Sequence, residues 1–390
     1  MRIGLVVPHI FMQDSLLDSV IFSPGTLAKD LAQELESQEH SVTLFSPGSV
    51  LFSGKNVTAD LSYFEHELKL RGDTYIDLLK KHPLTFITLA RQVQSELLAK
   101  AFVMANNDEL DIVHIYTNEE DTALPFSRLC SKPVVFTHHD PFNFLANYRS
   151  LFPKYPHLNW LSISKAQRKV MPTETNWVKN IYHGLDTNRF TPNLNPQGNY
   201  IAYLGRIIEP KGVHLAVQAI KQFNQQNPTN TVKLKLAGKH YAGKTKNTYW
   251  EEQILPQIDD EIIEYVGHIK TDTEIQDFLG NAKALIVPST FEEPFGMVMI
   301  EALACSTPII GLDSGAIPEV INAQNGILVN KEFDGTTIND ASTAANLAQA
   351  INKIIDIDRK ACRKSFEQHY TLRRMAQEHI EAYEQLLKNN

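Results

Sequence analysis

At 390 residues the chain is longer than one hydrophobic core usually serves, so two domains of nearly equal size are expected. Its 43% hydrophobic and 21% charged content is that of an ordinary globular protein, and a net charge of −8 argues against nucleic acid as a bulk partner. The three cysteines, Cys130, Cys305 and Cys362, are too few and too scattered for a disulfide framework or a zinc site, which points to a reducing, cytoplasmic setting.

The N-terminal run to His9 is apolar, but Pro8, His9, Gln13 and Asp14 break it well short of a signal-peptide or membrane-spanning core, so it reads as a first strand over 3–7. A loop to Gly25, helical spacing over 26–36 and a strand over 41–45 complete a βαβ unit. Amphipathic stretches over 74–81 and 84–105 follow, then strands over 112–116, 133–137, 160–164 and 177–182. Next comes a stretch with two prolines, many turn formers and no periodicity, read as a linker over 185–198 between a first domain (1–184) and a second (199–370). The pattern then restarts with a strand over 200–204, a helix over 213–223, strands over 232–237 and 263–266, a helix over 272–279 and a strand over 284–287. A polar amphipathic helix occupies 372–387 within a terminal segment 371–390. Such alternation predicts an α/β protein with two Rossmann-like, doubly wound halves.

One stretch stands out, Ala284-Leu-Ile-Val-Pro-Ser-Thr-Phe-Glu-Glu-Pro-Phe-Gly-Met-Val-Met-Ile-Glu301. It reads as a buried parallel strand, a loop at its carboxyl end and a helix starting near Phe295, which is where open α/β sheets bind ligands. At such a helix start the N–H groups of Phe295, Gly296 and Met297 lack intrahelical partners and can donate to phosphate or hydroxyl oxygens, and Gly296 permits close approach. Glu293 precedes the helix and Glu301 lies within it, so both can face one ligand. An acid beside a helix start is also favoured by the macrodipole, by roughly 0.3–1 kcal/mol, and that explanation suits Glu292.

A second loop, Tyr203-Leu-Gly-Arg-Ile-Ile-Glu-Pro-Lys-Gly212, has Gly205 and Gly212 near its ends and two cations, Arg206 and Lys211, between them. They either flank a pyrophosphate or lie solvated on the surface. Two glutamates alone would repel a diphosphate, so carboxylates for hydroxyls beside cations for phosphates describe a neutral sugar joined to a charged nucleotide.

The stretch 284–311 resembles the donor-sugar signature of the retaining glycosyltransferases of family 4, and the match continues through Ser314-Gly-Ala-Ile-Pro-Glu-Val320 and Asn325-Gly-Ile-Leu-Val329. Gly-Arg followed by Lys-Gly over 205–212 is similar to that family's diphosphate motif. The resemblance implies the GT-B fold, two Rossmann-like domains facing across a cleft, with the terminal helix returning to the first. It implies transfer of a sugar from a nucleotide-diphosphate donor to an acceptor hydroxyl, on a glycan, lipid or small molecule, with retention and with neither metal nor cofactor. By the same token Glu293 would hold sugar hydroxyls, Glu301 the ribose, and Arg206 and Lys211 the diphosphate. His268 and the backbone of Ile269 would line the base site. His139, in Thr137-His-His-Asp140, would approach the donor sugar from the acceptor-side domain, while His138 is packed or solvated.

Three departures from the family pattern bear on these roles. Ser23-Pro-Gly-Thr26 replaces Gly-Gly-x-Glu and leaves Gly25 as the close-approach position, His183-Gly-Leu-Asp186 replaces Asn-Gly-x-Asp, and Ser306 stands where glycine is usual. A metal held by His138, His139 and Asp140 lacks a further ligand, and Asp356-Ile-Asp358 falls in a helix-like stretch far from the other motifs. No Gly-x-Gly-x-x-Gly follows Val7 or Leu204, against a nicotinamide enzyme. A non-hydrolysing sugar-nucleotide epimerase and a sugar-nucleotide-binding protein without turnover are the alternatives. The stretch 78–82 is either a solvated helix face or a weak peripheral contact with the inner face of a membrane.

Overall fold

The computed structural model describes residues 1–17, 22–116, 120–240 and 248–389. The chain divides into two compact units, one formed by Met1–Ile181 with Leu372–Asn390, the other by Tyr182–Thr371. Among the described residues the first holds a seven-stranded sheet in the order β3-β2-β1-β4-β5-β6-β7, with β1 Arg2–Val6, β2 Ser41–Ser46, β3 Lys55–Thr58, β4 Ile112–Tyr116, β5 Val134–Thr137, β6 Asn159–Ser162 and β7 Trp177–Asn180. All its pairings are parallel. A parallel sheet is covered on both faces, so its central strands are mostly apolar and buried. Accordingly every residue of β4 and β5 is buried, whereas the edge strands β3 and β7 hold Lys55, Asn56, Lys179 and Asn180.

Helix α1 (Ser23–Ser37) turns Leu27, Ala28, Leu31, Ala32 and Leu35 inward, and the long helix α2 (Pro83–Asn106) does the same with Val93, Leu97, Ala101 and Phe102. Helix α1 begins earlier than the spacing predicts, with Pro24 in its first turn, where a missing N–H costs nothing. Gly25 therefore stands inside a helix and not in a loop.

The second unit holds a six-stranded, all-parallel sheet in the order β10-β9-β8-β11-β12-β13, with β8 Tyr200–Leu204, β9 Lys233–Ala237, β10 Ile263–Gly267, β11 Ala284–Val287, β12 Ile309–Leu312 and β13 Gly326–Val329. Helices α3 (Val213–Gln226), α4 (Asp272–Gly280), α5 (Met297–Ala304) and α6 (Asp340–Lys353) belong to it, and Leu215, Ile220, Leu234, Leu285, Ile310 and Leu347 are fully buried. Strand order reverses between β8 and β11, which makes the carboxyl ends of those two neighbours a topological switch point.

Residues 185–198, read from the sequence as a linker, are part of the second unit. Helix α7 (Arg359–His369) holds them: Arg363 donates to the carbonyls of Thr187 and Phe190, and Arg359 to that of Asn193. Phe190 is buried. The last helix, α8 (Leu372–Lys388), packs on α1 in the first unit, where Tyr383 is hydrogen-bonded to His114 of β4 at 2.7 Å. No helix among the described residues is long and apolar enough to cross a membrane.

Candidate functional site

The loops leaving β8 and β11 are stitched together at the switch point. Thr290 donates its N–H to the Pro210 carbonyl at 2.9 Å and its hydroxyl to the same oxygen at 3.2 Å. This brings the two motifs that sequence reasoning treated separately into one place, because Lys211 Nζ donates to Glu293 Oε2 at 2.6 Å. The pair is largely dry, with side-chain exposures of 19% and 8%, and Ser289 Oγ donates to the same carboxylate oxygen at 3.1 Å. Lys211 also lies 5.0 Å over the ring of Phe291.

Arg206 is exposed and its side chain makes no hydrogen bond or ion pair among the described residues, so its guanidinium is available to an anion. Tyr203 fixes the loop beneath it by donating its hydroxyl to the Arg206 carbonyl at 2.7 Å. Gly205 is tied to the end of β9 through its N–H and the Ala237 carbonyl.

Helix α5 starts two residues later than the sequence suggests. Its N-cap is Gly296, at φ 91, a left-handed conformation that favours glycine. The first intrahelical-type bond recorded there runs from Met299 N to Gly296 O, which leaves the N–H groups of Gly296, Met297 and Val298 as the donors a helix start exposes. The Phe295 ring, only 2% exposed, packs edge-on against His183 at 4.9 Å, so only its backbone is left for a ligand. One turn further on, the Glu301 carboxylate has no hydrogen bond or ion pair among the described residues. Burial raises its pKa, with Asp272 adding to that and Arg189 opposing it.

At the end of β10, Gly267 accepts from Gly238 N at 2.8 Å, joining the β9 and β10 loops. His268 follows it with a buried Nδ1 that has no hydrogen-bond partner among the described residues, and burial, then Lys239 and Lys270, hold its imidazole below the ordinary value. Ile269 is half-buried beside it. Close by, His240 stacks on Trp250 with ring centroids 4.0 Å apart.

In the first unit His139 lies two residues past the end of β5, is 7% exposed and packs edge-on with Tyr116, ring centroids 4.5 Å apart. His138 is fully buried among Phe142, Tyr148 and Phe152. Gln167 fixes this turn by donating to the carbonyls of His138 and Asp140. Gly25 faces no open space: a Cβ there would fall 2.4 Å from the Phe22 ring and 3.0 Å from Leu17. Its smallness serves packing at the start of α1. Sequence reasoning missed Ser289 as a partner of Glu293 and Tyr116 as the neighbour of His139. Ser289 lies inside the informative stretch, whereas Tyr116 is linked to His139 only through the pairing of β4 with β5.

Residues 186–369 match the family described as glycosyl transferases group 1. Over 172 residues the chain is 28% identical to alpha-maltose-1-phosphate synthase of Mycolicibacterium smegmatis, which covers 41% of this chain and 39% of that protein. It thus spans about two fifths of that relative's length. Sucrose-phosphate synthase from Thermosynechococcus elongatus superposes with a TM-score of 0.72 at 17% identity, covering 100% of both chains. Anabaena HepE in complex with UDP-glucose superposes with a TM-score of 0.63 at 17% identity, covering 99% of this chain and 100% of that one. The fold is that of the GT-B glycosyltransferases.

In GT-B terms the Lys211–Glu293 pair, Arg206 and the α5 start all belong to the second Rossmann-like unit, at one switch point. Four kinds of group stand on the loops and helix of that switch point: a guanidinium, an ammonium held by a carboxylate, backbone donors at a helix start and a half-buried carboxylate, the guanidinium and the last carboxylate having no side-chain partner among the described residues. Such a set can take up an anion and several hydroxyls together.

Proposed function

We propose that the protein is a retaining glycosyltransferase that moves a hexose from a nucleotide-diphosphate sugar to an acceptor hydroxyl without a metal ion or cofactor. The observation that carries this reading is the Lys211–Glu293 contact of 2.6 Å, which unites the cation-bearing loop and the acid-bearing loop at the switch point. The UDP-glucose bound by a structural relative supports the choice of donor class.

On this reading Arg206 and Lys211 hold the diphosphate and stabilise the charge that grows on it as the sugar–phosphate bond breaks. Charge-assisted hydrogen bonds of this kind contribute roughly 1.5–3 kcal/mol each, most usefully in the transition state. Gly205, Gly296 and the backbone N–H groups of Phe295 to Met297 approach the phosphates and sugar. Glu293 orients the sugar hydroxyls, Glu301 accepts from the ribose, and His268 with the Ile269 backbone faces the base. The acceptor oxygen attacks on the face from which the phosphate leaves, and a phosphate oxygen takes its proton. Glu293 positions and does not attack. His139 is assigned to the acceptor side.

Calorimetric titration with UDP-, GDP- and ADP-sugars, followed by an acceptor screen, tests the reading. Binding of one donor and release of its nucleoside diphosphate only when an acceptor is present is the expected result. Release of an altered free sugar nucleotide without an acceptor would show an epimerase instead. The anomeric proton coupling in the product reports retention, and activity that needs an added divalent cation after EDTA treatment would overturn the metal-free part.

A further inference from the structure

Just beyond β13 a largely buried ammonium joins two loops of the second unit. Lys331, with its side chain 13% exposed, donates from Nζ to Ser314 Oγ at 3.1 Å and to the Thr290 carbonyl at 3.4 Å, and lies 4.0 Å from Glu292 Oε1. Its three N–H donors thus face three acceptors. Ser314 donates its own hydroxyl to the Phe291 carbonyl at 2.6 Å. The neighbouring contacts come from backbone donors: Gly315 N donates to the Glu292 side chain at Oε2, 3.1 Å away, and Ala316 N to the Glu293 carbonyl at 2.8 Å. At Gly315, φ is 57, and a Cβ would fall 2.2 Å from Glu293 N, so the two loops touch main chain to main chain.

We propose that Lys331 is a positioning residue for Glu293, clamping residues 290–293 to residues 314–316 so that the Glu293 carboxylate meets the donor sugar in a single orientation. The inference rests on the donor-binding reading of Glu293 given above. Lys331 reaches Thr290, Glu292 and Ser314, whereas the diphosphate and ribose groups, Arg206, Lys211 and Glu301, stand on the β8 loop and on α5. Losing the clamp therefore loosens the sugar and leaves the nucleotide. A displacement of about 1 Å at a positioned group costs up to about 10²-fold in rate.

The test uses the full chain with Lys331→Met, Lys331→Arg and Ser314→Ala. Calorimetry with UDP, GDP and ADP gives nucleotide affinity, and steady-state transfer from their glucose conjugates gives kcat and KM. For the nucleotide that wild type binds, Lys331→Met is expected to keep diphosphate affinity within about 3-fold while kcat falls by about 10- to 100-fold. Lys331→Arg should recover part of the loss, and Ser314→Ala should lower kcat in the same direction, the double substitution being less than additive because both act on one contact. A folded Lys331→Met with wild-type kcat, or one that loses diphosphate affinity as much as rate, overturns the proposal. If Lys331→Met does not fold, unchanged transfer in Ser314→Ala overturns it equally. Wild-type protein that binds none of the nucleotides overturns the donor reading itself, a different result from active wild type matched by active variants.

Discussion

The two units share a construction and differ in what stands at the ends of their central strands. In each, a parallel sheet reverses its strand order once, between β1 and β4 or between β8 and β11. At the second unit's reversal stand Arg206 and Lys211 on the β8 loop, Glu293 on the β11 loop and Glu301 on α5, all ionisable, the two loops stitched by Thr290 and by the Lys211–Glu293 pair. Across β4 and β5 of the first stand His114, Tyr116, His138 and His139, all buried. Burial drives the His114 imidazole well below its ordinary value and holds the Tyr116 phenol well above its own. Topology supplies the place for a ligand in both, but loop residues decide whether the place is ionic or neutral.

Stripping the second unit of its charge is the most severe way to break this contrast. Arg206→Ala or Lys211→Ala should lower transfer by about 10²- to 10³-fold, as loss of a preorganised transition-state donor does, and steady-state kinetics with a bound donor reads it. Normal turnover in both variants would end the assignment of a diphosphate cradle.

Charging the first unit is the next. His379 of α8 lies 5.6 Å from His114, ring to ring, and donates from Nδ1 to the Met375 carbonyl at 2.8 Å; burial lowers its pKa from 6.5 to about 4. A folded-state value below the unfolded one means that stability is complete above pH 6.5 and is lost as pH falls from there toward 4, by roughly 3 kcal/mol. Urea unfolding at pH 7 and pH 5, followed through Trp160 and Trp177 in a Trp250→Phe background, should show the first unit weakening. Equal midpoints at the two pH values would contradict a neutral buried pair.

Glu301→Gln sharpens the contrast from the other side. Its folded-state pKa is raised by burial, so the ionised carboxylate costs stability as pH rises past its ordinary value of 4.5. The variant should melt higher than wild type at pH 8 and not at pH 4, while binding nucleotide more weakly by roughly tenfold through loss of one charge-assisted hydrogen bond. The smallest effect is expected for Tyr116→Phe. Its hydroxyl is buried without a hydrogen-bond partner among the described residues, so removal should be neutral or stabilising by up to about 1 kcal/mol in thermal unfolding, with nucleotide affinity unchanged.

The second unit was legible because its motifs are local. An apolar strand, a loop and a helix start fall within 284–301, and their spacing alone puts acids and backbone donors together. Joining that stretch to 203–212 needed the pairing of β8 with β11, which no short window contains. Strand β3 escaped notice because an edge strand such as Lys55–Thr58 has no apolar run, and β12 and β13 because their short apolar stretches fall inside 309–329, which was read for its motifs and not for strands. Pro24 was a usable sign that a helix starts before Gly25. The burial of Phe295 against His183 and the clamp at Lys331 depend on residues more than a hundred and about forty positions away, beyond the reach of periodicity.

The hydrogen bond between His114 and Tyr383 spans 269 positions. During synthesis the opening lobe must therefore wait, one flank uncovered, while the ribosome produces everything from Tyr182 to Thr371 and then the closing helix. Closing so long a loop is a slow, late event, and shortening the chain at Thr371 would leave Met375, Ile380 and Tyr383 missing from a surface built to be covered.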